Sequence, residues 1–399
     1  MQFDNIKCQI INMKPSGIYV HIPFCRKKCL YCDFFSAGSR IAEWKRYAEA
    51  VKEELRQRMG ELSSHPDTLY IGGGTPSLMP GDVFLDLAGG IRDICGNEGK
   101  WKEFTIEVNP EDVTDETSLT WKKTGVNRVS MGVQTFNDGE LKKIGRLHDS
   151  ADAIKAFNIL RSRFANVSLD LMFGLPGQTM KSWQKTVGTA ISLNPDHVSA
   201  YSLMFEERTA MTILRDNGTL TFPKDEESVE MWRYLSDQLK RNGFRQYEIS
   251  NYAKPGYESV HNSRYWHGNP YLGLGVSAHS YDGDRTRRWN GTDIKAYMDK
   301  YSGGGDDCQA SSDPSGLVRE EVLNDEELRE EYIMLRMRTR EGIDMEEYRS
   351  IYGERALERL IRNSRESVKA GNLVIEEGKM RLTGNGIMLS DEVIVDLMS

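Results

Sequence analysis

The amino-acid sequence predicts an α/β protein: a partial (β/α)6 barrel of the TIM type, followed by a smaller, mostly helical C-terminal domain. Three observations support this prediction. Six short β-rich stretches recur at crossover spacing in the first half of the chain, and longer helical stretches lie between them. Several of these helical stretches open on an Asp or Ser that can cap a helix. A segment rich in Gly, Ser and Asp then separates the repeat from the last part of the chain.

Each of the first five predicted strands is followed by one or two predicted helices. The strands are predicted at 18–22, 68–71, 104–108, 128–133, 167–173 and 198–203. The helices are predicted at 42–59, 82–94, 115–123, 138–144, 150–163 and 181–193. Strands joined by helical crossovers lie parallel, and the crossovers are right-handed. Six units close only part of an eight-unit barrel, and a functional site is expected at the C-terminal ends of the strands.

The domain organisation follows from the same patterns. Residues 1–302 are predicted to form the partial barrel with its C-terminal extension. Residues 303–316 have the composition of a linker. Residues 317–399 are predicted to form the C-terminal helical domain, because apolar residues recur at helical spacing from 325 to 338.

Composition narrows the class of protein. A chain of 399 residues with 39% hydrophobic content can bury a sizeable core in two domains. The formal net charge of -8 argues against a broad nucleic-acid surface. No run approaches the ~20 apolar residues that cross a bilayer. Since no apolar signal segment is evident and Cys8, Cys95 and Cys308 are isolated, we expect a cytoplasmic protein with reduced thiols.

Three closely spaced cysteines, Cys25, Cys29 and Cys32, are the most informative motif. A [4Fe-4S] cluster normally takes one cysteine per iron, so three ligands leave one iron free to bind a group that is not protein. Structural zinc with His21 as a fourth ligand is the alternative, although no second cysteine pair completes a zinc motif. The basic residues 26–28 fit either a solvated loop or a surface that favours an anionic cluster or a docking reductase.

Other polar motifs fall at the ends of predicted strands. The glycine run 72–74 with Thr75 follows the second strand, and glycines let backbone groups approach a ligand closely. Glu107 closes the third strand, Gln134 closes the fourth, and Asp170 lies within the fifth. Single residues of this kind are often solvated or capping residues. The prediction of a polar ligand site therefore depends on their convergence at one mouth.

The cysteine spacing Cys-x3-Cys-x2-Cys, with the aromatic Tyr31 just before Cys32, resembles the signature of the radical S-adenosylmethionine (SAM) superfamily. The resemblance implies that the unique iron is chelated by the amino and carboxylate groups of SAM. It also implies that the reduced cluster can cleave SAM to a 5′-deoxyadenosyl radical. The protein would then position the cofactor and exclude water.

A narrower resemblance is to the oxygen-independent coproporphyrinogen III oxidase family and its sister branch, the HemW-type heme chaperones. The matching segments are 17–32, 72–77, 107–110, 125–136, 145–148, 170–179, 247–251 and 261–266. The resemblance implies that the cofactor SAM is contacted by Tyr19, Tyr31, Gly73, Gly74, Thr75, Glu107, Gln134, Arg146 and Asp170.

Two departures favour the chaperone branch. The oxidases have a further cysteine two residues after the third cluster ligand, and this chain has Phe34 there. The oxidases also have a longer N-terminal extension, whereas 24 residues precede Cys25 here. In addition, the segment 261–266 matches the His-Asn-x-x-Tyr-Trp motif associated with heme binding in the chaperones, which implies that His261 is a heme ligand. A packed aromatic hairpin with a satisfied histidine is the structural alternative.

We therefore expect a radical SAM protein that binds heme and transfers it to recipient proteins. The alternative is an enzyme of porphyrin biosynthesis, an oxygen-independent coproporphyrinogen III dehydrogenase. An RNA-modifying enzyme is disfavoured by the acidic charge. The expected partners are heme, heme-accepting proteins and an electron donor such as a flavodoxin or ferredoxin, and no nucleic acid. Peripheral contact with membrane-bound recipients and a homodimer are both compatible with the sequence.

Overall fold

The structure is a computed structural model that describes residues 14–38, 41–96, 101–207, 209–302 and 316–399. Cys8, Cys308 and all but the last residue of the expected linker 303–316 lie outside the described residues. No helix among the described residues is long and apolar enough to cross a membrane.

Seven parallel strands form the centre of one open sheet. Their spatial order is β11, β1, β4, β5, β6, β7 and β8. Their bounds are Tyr271–Leu274 (β11), Gly17–Ile22 (β1), Thr68–Gly73 (β4), Glu103–Val108 (β5), Arg128–Gln134 (β6), Asn166–Phe173 (β7) and His197–Ser202 (β8). All six predicted strands are present, consecutive and parallel. The prediction of a partial barrel is confirmed, and the unpredicted β11 adds a seventh parallel strand beside β1.

The predicted helices are also present, with ends shifted by at most two residues. They are α1 (Ile41–Arg58), α2 (Gly81–Ile94), α3 (Asp115–Lys123), α4 (Asp138–Lys143), α5 (Ser150–Arg161) and α6 (Met180–Leu193). Three begin with a reciprocal capping box, at Thr114, Asp149 and Thr179. Such a box satisfies two backbone donors of the first turn and fixes where the helix starts. Two further helices, α7 (Ala210–Asp216) and α8 (Asp225–Arg241), follow β8.

Short antiparallel strands extend the sheet at both edges. Strands β12 (His279–Tyr281), β13 (Thr286–Asn290) and β14 (Val318–Val322) follow β11, while β10 (Asn251–Ala253) and β9 (Arg245–Gln246) follow β8. Strand β14 lies on the C-terminal side of the expected boundary at 317, yet it pairs with β13 over five residues. The barrel sheet therefore includes residues that the sequence pattern assigns to the C-terminal domain.

Side-chain alternation gives this sheet an apolar outer face and a polar inner face. In β5, Phe104, Ile106 and Val108 belong to the hydrophobic core, whereas Glu103 and Glu107 make polar contacts on the opposite face. Residues two apart along a strand share a face, so the inner face repeats this pattern along its length. The lumen of the barrel is polar, which suits a ligand site.

The C-terminal part is mostly helical, as expected, and has its own hydrophobic cluster. Its helices are α11 (Asp325–Met337), α12 (Met345–Tyr352), α13 (Glu354–Lys369), α14 (Gly384–Ile387) and α15 (Ser390–Met398). Between them lies a three-stranded sheet of β15 (Ile343–Asp344), β17 (Lys379–Leu382) and β16 (Leu373–Glu376). An isolated antiparallel bridge between Glu248 and Thr339 joins this part to the barrel. The remaining helices, α9 (Val260–Trp266) and α10 (Ile294–Ser302), belong to the barrel part.

Candidate functional site

The three cysteines lie on the loop that connects β1 to α1. This loop is closed at its base by a parallel pair of two-residue strands, β2 (Phe24–Cys25) and β3 (Ala37–Gly38). Its tip is held by a hydrogen bond from the Leu30 N–H to the Ile144 carbonyl (3.1 Å). All three cysteines are half-buried and free of disulfides. The loop therefore has a defined conformation at the C-terminal end of β1.

Burial shapes the chemistry of these thiols. It raises the pKa of Cys25, and it raises the pKa of Cys32 to about 11, with the nearby Cys29 thiolate adding to both effects. Burial therefore favours the protonated thiols of Cys25 and Cys32, and a bound metal centre would favour their thiolates. Within the described residues, no three His, Cys, Asp or Glu side chains are grouped around the position of a single metal ion. A cluster of several iron atoms can instead be held by cysteines that do not meet at one point.

The glycine run after β4 packs against this loop without room for side chains. A Cβ atom on Gly74 would lie 2.9 Å from Cys25 Sγ and 2.9 Å from the Phe24 carbonyl oxygen. A Cβ on Gly73, where φ is +110°, would lie 2.7 Å from the His21 ring. Thr75 donates from Oγ1 to Cys25 Sγ at 3.4 Å. Exposed backbone and one hydroxyl thus border the cysteines where the sequence predicts SAM contacts.

Glu107 ends β5 and connects the glycine run to the lumen. Its carboxylate accepts hydrogen bonds from the Tyr70 hydroxyl (2.6 Å) and the Gly73 N–H (3.1 Å). Burial raises the pKa of Glu107 to about 7, and repulsion from Asp170 adds to the rise. These two hydrogen bonds oppose the shift because they favour the ionised form.

Gln134 and Asp170 face the same lumen from β6 and β7. Gln134 adopts φ +67°, which is rare for a residue with a side chain, at a register shift between the two strands. Such strain persists only where surrounding structure holds it, and it is common at ligand sites. Asp170 accepts from the Ser130 hydroxyl at 3.1 Å, and burial raises its pKa.

Arg146 follows α4 and crosses the mouth toward the cysteine loop. Its guanidinium donates to Asn109 Oδ1 (2.8 Å) and to the Gly132 carbonyl (2.6 Å), and Nη1 lies 3.7 Å from Cys29 Sγ. Its Nε is buried and has no partner. Tyr31 also lies beside Cys29, and burial raises its pKa while Arg146 opposes the rise. The unpartnered N–H donor next to a cluster cysteine suits an anionic group of a cofactor.

Tyr19 lies in the lumen on β1, below the cysteines. Its hydroxyl is 3.0 Å from Nδ1 of His21, and Nε2 of His21 is 3.2 Å from the Phe35 carbonyl oxygen. Both ring nitrogens of His21 are therefore engaged away from the cysteine sulfurs. The alternative of a zinc site with His21 as fourth ligand finds no support in this geometry.

Several contributing residues were missed by sequence reasoning. Asn109 contacts Arg146 and also lies 3.5 Å from Thr75 Oγ1, while Tyr70 orients Glu107. The signal for Asn109 is its place immediately after the strand that ends at Val108. Tyr70 gives no local signal, because it looks like an ordinary β-sheet residue.

The basic residues 26–28 divide between two environments. Arg26 forms an ion pair with Asp112 at 2.9 Å, and Asp112 also accepts from the Ser77 hydroxyl at 2.7 Å. Lys28 donates to the Phe34 carbonyl at 3.1 Å. These contacts hold the loop in place. A small crevice of about 10 Å³ remains between Cys29 of the loop and Arg146.

His261 lies at the other end of the barrel. Helix α9 places its ring beside Thr68, the first residue of β4, whereas the cysteines contact Thr75, just beyond the end of that strand. Seven residues of extended chain separate the two threonines by roughly 20 Å. His261 and the cysteines therefore do not share one site in this structure.

The His261 side chain is fully satisfied where it lies. Its Nδ1 is 2.9 Å from Thr68 Oγ1, its Nε2 is 2.8 Å from the Tyr265 hydroxyl, and only 1% of the residue is exposed. Burial lowers its pKa to about 3, and nearby arginines add to this. Glu103 caps α9 by accepting from the backbone N–H groups of Val260 and His261 (2.8 and 3.0 Å). The imidazole is neutral and buried.

The structure thus brings together most of the predicted site. The three cysteines, Tyr31 and the predicted SAM contacts lie at the mouth or in the upper lumen, while His261 lies apart from them. The donor set fits a [4Fe-4S] cluster with an amino-acid-like group beside it, because three thiols, half-buried glycine backbone without side chains and an unpartnered arginine N–H converge. Cys25, Cys29 and Cys32 would hold that cluster.

Comparisons with known proteins agree with this geometry. The model of the Radical SAM superfamily matches residues 19–190, and that of the HemN C-terminal domain matches residues 323–389. The heme chaperone HemW of Bacillus subtilis is 36% identical, and the alignment covers 94% of this chain and 97% of that protein. The chain belongs to the HemW family of radical SAM proteins. The heme chaperone HemW of Lactococcus lactis is 33% identical over 91% of this chain and 97% of that protein.

This HemW-family chain also has the fold of a solved radical SAM enzyme. Coproporphyrinogen III oxidase (HemN) from Escherichia coli superimposes with a TM-score of 0.80, covering 99% of this chain and 93% of that chain at 21% identity. That likeness shows the fold. Membership in the radical SAM superfamily implies a [4Fe-4S] cluster and SAM.

Proposed function

We propose that this protein is a heme chaperone, which binds heme and transfers it to recipient proteins. The observation that carries the proposal is the relationship along nearly the whole chain to proteins named heme chaperone HemW. The place of the extra cysteine of the oxidases, two residues beyond Cys32, is taken by Phe34, which is 64% exposed. This difference supports the chaperone function over coproporphyrinogen oxidation.

We assign the mouth of the barrel to the cluster and SAM. When bound, the cluster supplies one-electron chemistry. The residues of this chain hold and shield it: Cys25, Cys29 and Cys32 as ligands, Arg146 beside Cys29, and Thr75 beside Cys25. Glu107 holds the glycine loop through the Gly73 N–H, so the backbone that faces SAM keeps one conformation.

We assign the iron of heme to His261. A neutral imidazole is the form that binds iron, and the depressed pKa keeps His261 neutral at every physiological pH. One ring nitrogen can stay bonded to Thr68, as metal-bound histidines commonly bond a second group. The Tyr265 hydroxyl must leave Nε2 before iron can bind there. Heme loading therefore requires a rearrangement of α9.

The test is an anaerobic heme titration of the cluster-reconstituted protein, followed by absorbance. Saturable binding with a spectrum that changes in His261→Ala would support His261 as the ligand. Tyr265→Phe frees Nε2 at the cost of one hydrogen bond, about 1 kcal/mol, so heme affinity should rise about fivefold. Circular dichroism of each variant checks that the fold is retained.

Two outcomes would overturn these assignments. Absence of specific heme binding would remove the chaperone function. Vinyl products from coproporphyrinogen III under reducing, anaerobic conditions would establish the oxidase instead. The recipient proteins, an electron donor of the flavodoxin or ferredoxin type and the domain boundary near residue 317 remain part of the proposal.

A further inference from the structure

A cavity of about 630 Å³ lies between the barrel and the C-terminal part, away from the cysteines. Helix α8, the edge strands β9 and β10 and the segment 337–340 form its walls, and the Glu248–Thr339 bridge lies beside it. This volume is within the range of small-molecule and cofactor sites.

The charged residues that line this cavity are mostly basic. Four basic residues line the cavity, Lys240, Arg245, Arg338 and Arg340, and Glu248 is the single acidic residue in its lining. Lys240, Arg245 and Arg340 are exposed, and none of the three forms an ion pair with a residue that the structure describes. In a chain of net charge -8, this concentration of positive charge favours an anionic ligand.

Buried polar atoms in the walls also lack partners. Glu248 is 2% exposed, and its Oε2 makes no hydrogen bond; Arg338 Nε is likewise buried and unpartnered. Trp232 Nε1 lies near the Tyr252 hydroxyl without forming a hydrogen bond of normal geometry. Because Glu248 offsets the charge of Arg338, the three exposed cations remain uncompensated. Such groups are costly unless water or a ligand satisfies them.

The rest of the lining mixes apolar and aromatic residues with the polar side chains of Ser236, Gln246 and Thr339. Four of the lining residues are buried core residues: Trp232, Phe244, Tyr252 and Met337. Aromatic side chains together with three exposed basic residues suit a ligand that has a planar body and at least two anionic groups.

We propose that this interdomain cavity binds such a ligand, specifically a porphyrin dicarboxylate held by its carboxylates. The proposal rests on the proposed function, since heme is the porphyrin that a chaperone would carry. Arg245 and Arg340 bind the carboxylates, and the aromatic walls contact the ring. The cavity is also connected to α9, because the guanidinium of Arg338 lies 5.1 Å from the Trp266 ring centroid. A porphyrin held here contacts the residue that packs on the helix carrying His261.

The test uses metal-free protoporphyrin IX, which needs no iron ligand and so does not depend on His261. Binding to the full-length, cluster-reconstituted protein is measured by equilibrium dialysis. The double variant Arg245→Glu with Arg340→Glu should bind at least tenfold more weakly, because two charge-assisted contacts become repulsive. The matched control is Arg362→Glu with Arg365→Glu, which changes two exposed arginines of α13 outside the cavity and should bind as the parent does.

The outcomes separate this proposal from the proposed function. Unchanged protoporphyrin binding in the double variant overturns the cavity site, while heme transfer by the parent would leave the chaperone function standing. Sensitive protoporphyrin binding without heme transfer supports the cavity and removes the chaperone function. A parallel dialysis with ATP tests the other common planar anion: binding of ATP and not of protoporphyrin at this site overturns the assignment to porphyrins.

Discussion

The residues expected to bind ligands are held differently at the two ends of the barrel lumen, which are the mouth with the cysteines and the opposite, closed end with His261. At the mouth, Arg146 Nε is buried without a partner, Gln134 keeps a left-handed backbone, and burial raises the pKa of the Cys25 and Cys32 thiols. At the closed end, both ring nitrogens of His261 are hydrogen-bonded, and Glu103 caps the helix that carries it.

This difference separates two kinds of binding site. The mouth is preorganised, since hydrogen bonds from Tyr70 and the Gly73 N–H hold Glu107 and hydrogen bonds to Asn109 and the Gly132 carbonyl hold Arg146. The closed end is a packed interior that a ligand can enter only by displacing an existing contact. The following predictions test whether the two ends behave so differently.

The largest effect is expected for Gly74→Ala at the mouth. The added methyl group would lie 2.9 Å from Cys25 Sγ and from the Phe24 carbonyl oxygen, so the cysteine loop must move. We expect loss of most cluster binding, measured as iron per chain and visible absorbance after reconstitution. Gly60→Ala is the control, because its Cβ would meet nothing within 4 Å. Normal cluster content in Gly74→Ala would mean that the mouth is not preorganised.

The next largest effect is expected at the closed end for Glu103→Ala. The carboxylate accepts from Ser259 Oγ and from two backbone N–H groups, which would all lose their buried partner. The free energy of unfolding should fall by about 3–5 kcal/mol, since the buried guanidinium of Arg128 also loses Glu103 as its counter-charge. Denaturant unfolding measures this change. A loss below 1 kcal/mol would show that α9 is held loosely and that His261 is easily reached.

Glu107 should make the stability of the folded protein depend on pH. Its pKa is about 7 in the folded protein and about 4.5 in the unfolded chain, so folding favours the protonated form. Its stabilising contribution is complete below about pH 4.5 and is lost as pH rises through 7, by about 3 kcal/mol in all. The stability difference between the parent and Glu107→Gln should follow this course when unfolding is measured from pH 4.5 to 8. A constant difference would contradict it.

The smallest effect is expected for Arg26→Ala. This arginine pairs with Asp112, but its side chain is 59% exposed, so water and salt screen the pair. We expect a loss of stability below about 1 kcal/mol and full cluster content. A marked loss of cluster would instead give Arg26 a part in holding the loop.

Much of the fold could be predicted because its signals are local. Strand and helix periodicity, together with an Asp or Ser at the start of several helices, predicted six strands and the helices between them. The capping assignment was one residue late: Thr114, Asn137 and Asp149 cap the helices that begin at Asp115, Asp138 and Ser150. The pairing of β11 with β1 could not be predicted, because it joins Tyr271 to Gly17 across most of the chain. The edge strands were missed because two to five residues carry too little pattern.

In the candidate site, too, the features in local motifs could be predicted and those that depend on long-range contacts could not. The cysteines and the glycine run form contiguous motifs, so their meeting at one mouth followed from parallel strand order. The surroundings of His261 depend on contacts with Thr68 and Glu103, which are 193 and 158 residues away in sequence. No local pattern records such contacts. Sequence reasoning therefore identified the histidine and offered a packed, satisfied histidine as the alternative to a heme ligand, but it could not tell which environment the fold provides.

The enclosed histidine sets a threshold for what can bind it. Any ligand that takes Nε2 must first replace the Tyr265 hydroxyl, and this step alone, before any movement of α9, lowers its apparent affinity about fivefold. Weak ligands do not overcome this competition, whereas a strong Lewis acid such as heme iron can. In the proposed heme chaperone, the same hydroxyl would re-form its bond once the iron has left, which would favour release. The proposed carrier would thus gain both selectivity on entry and ease of delivery from this contact.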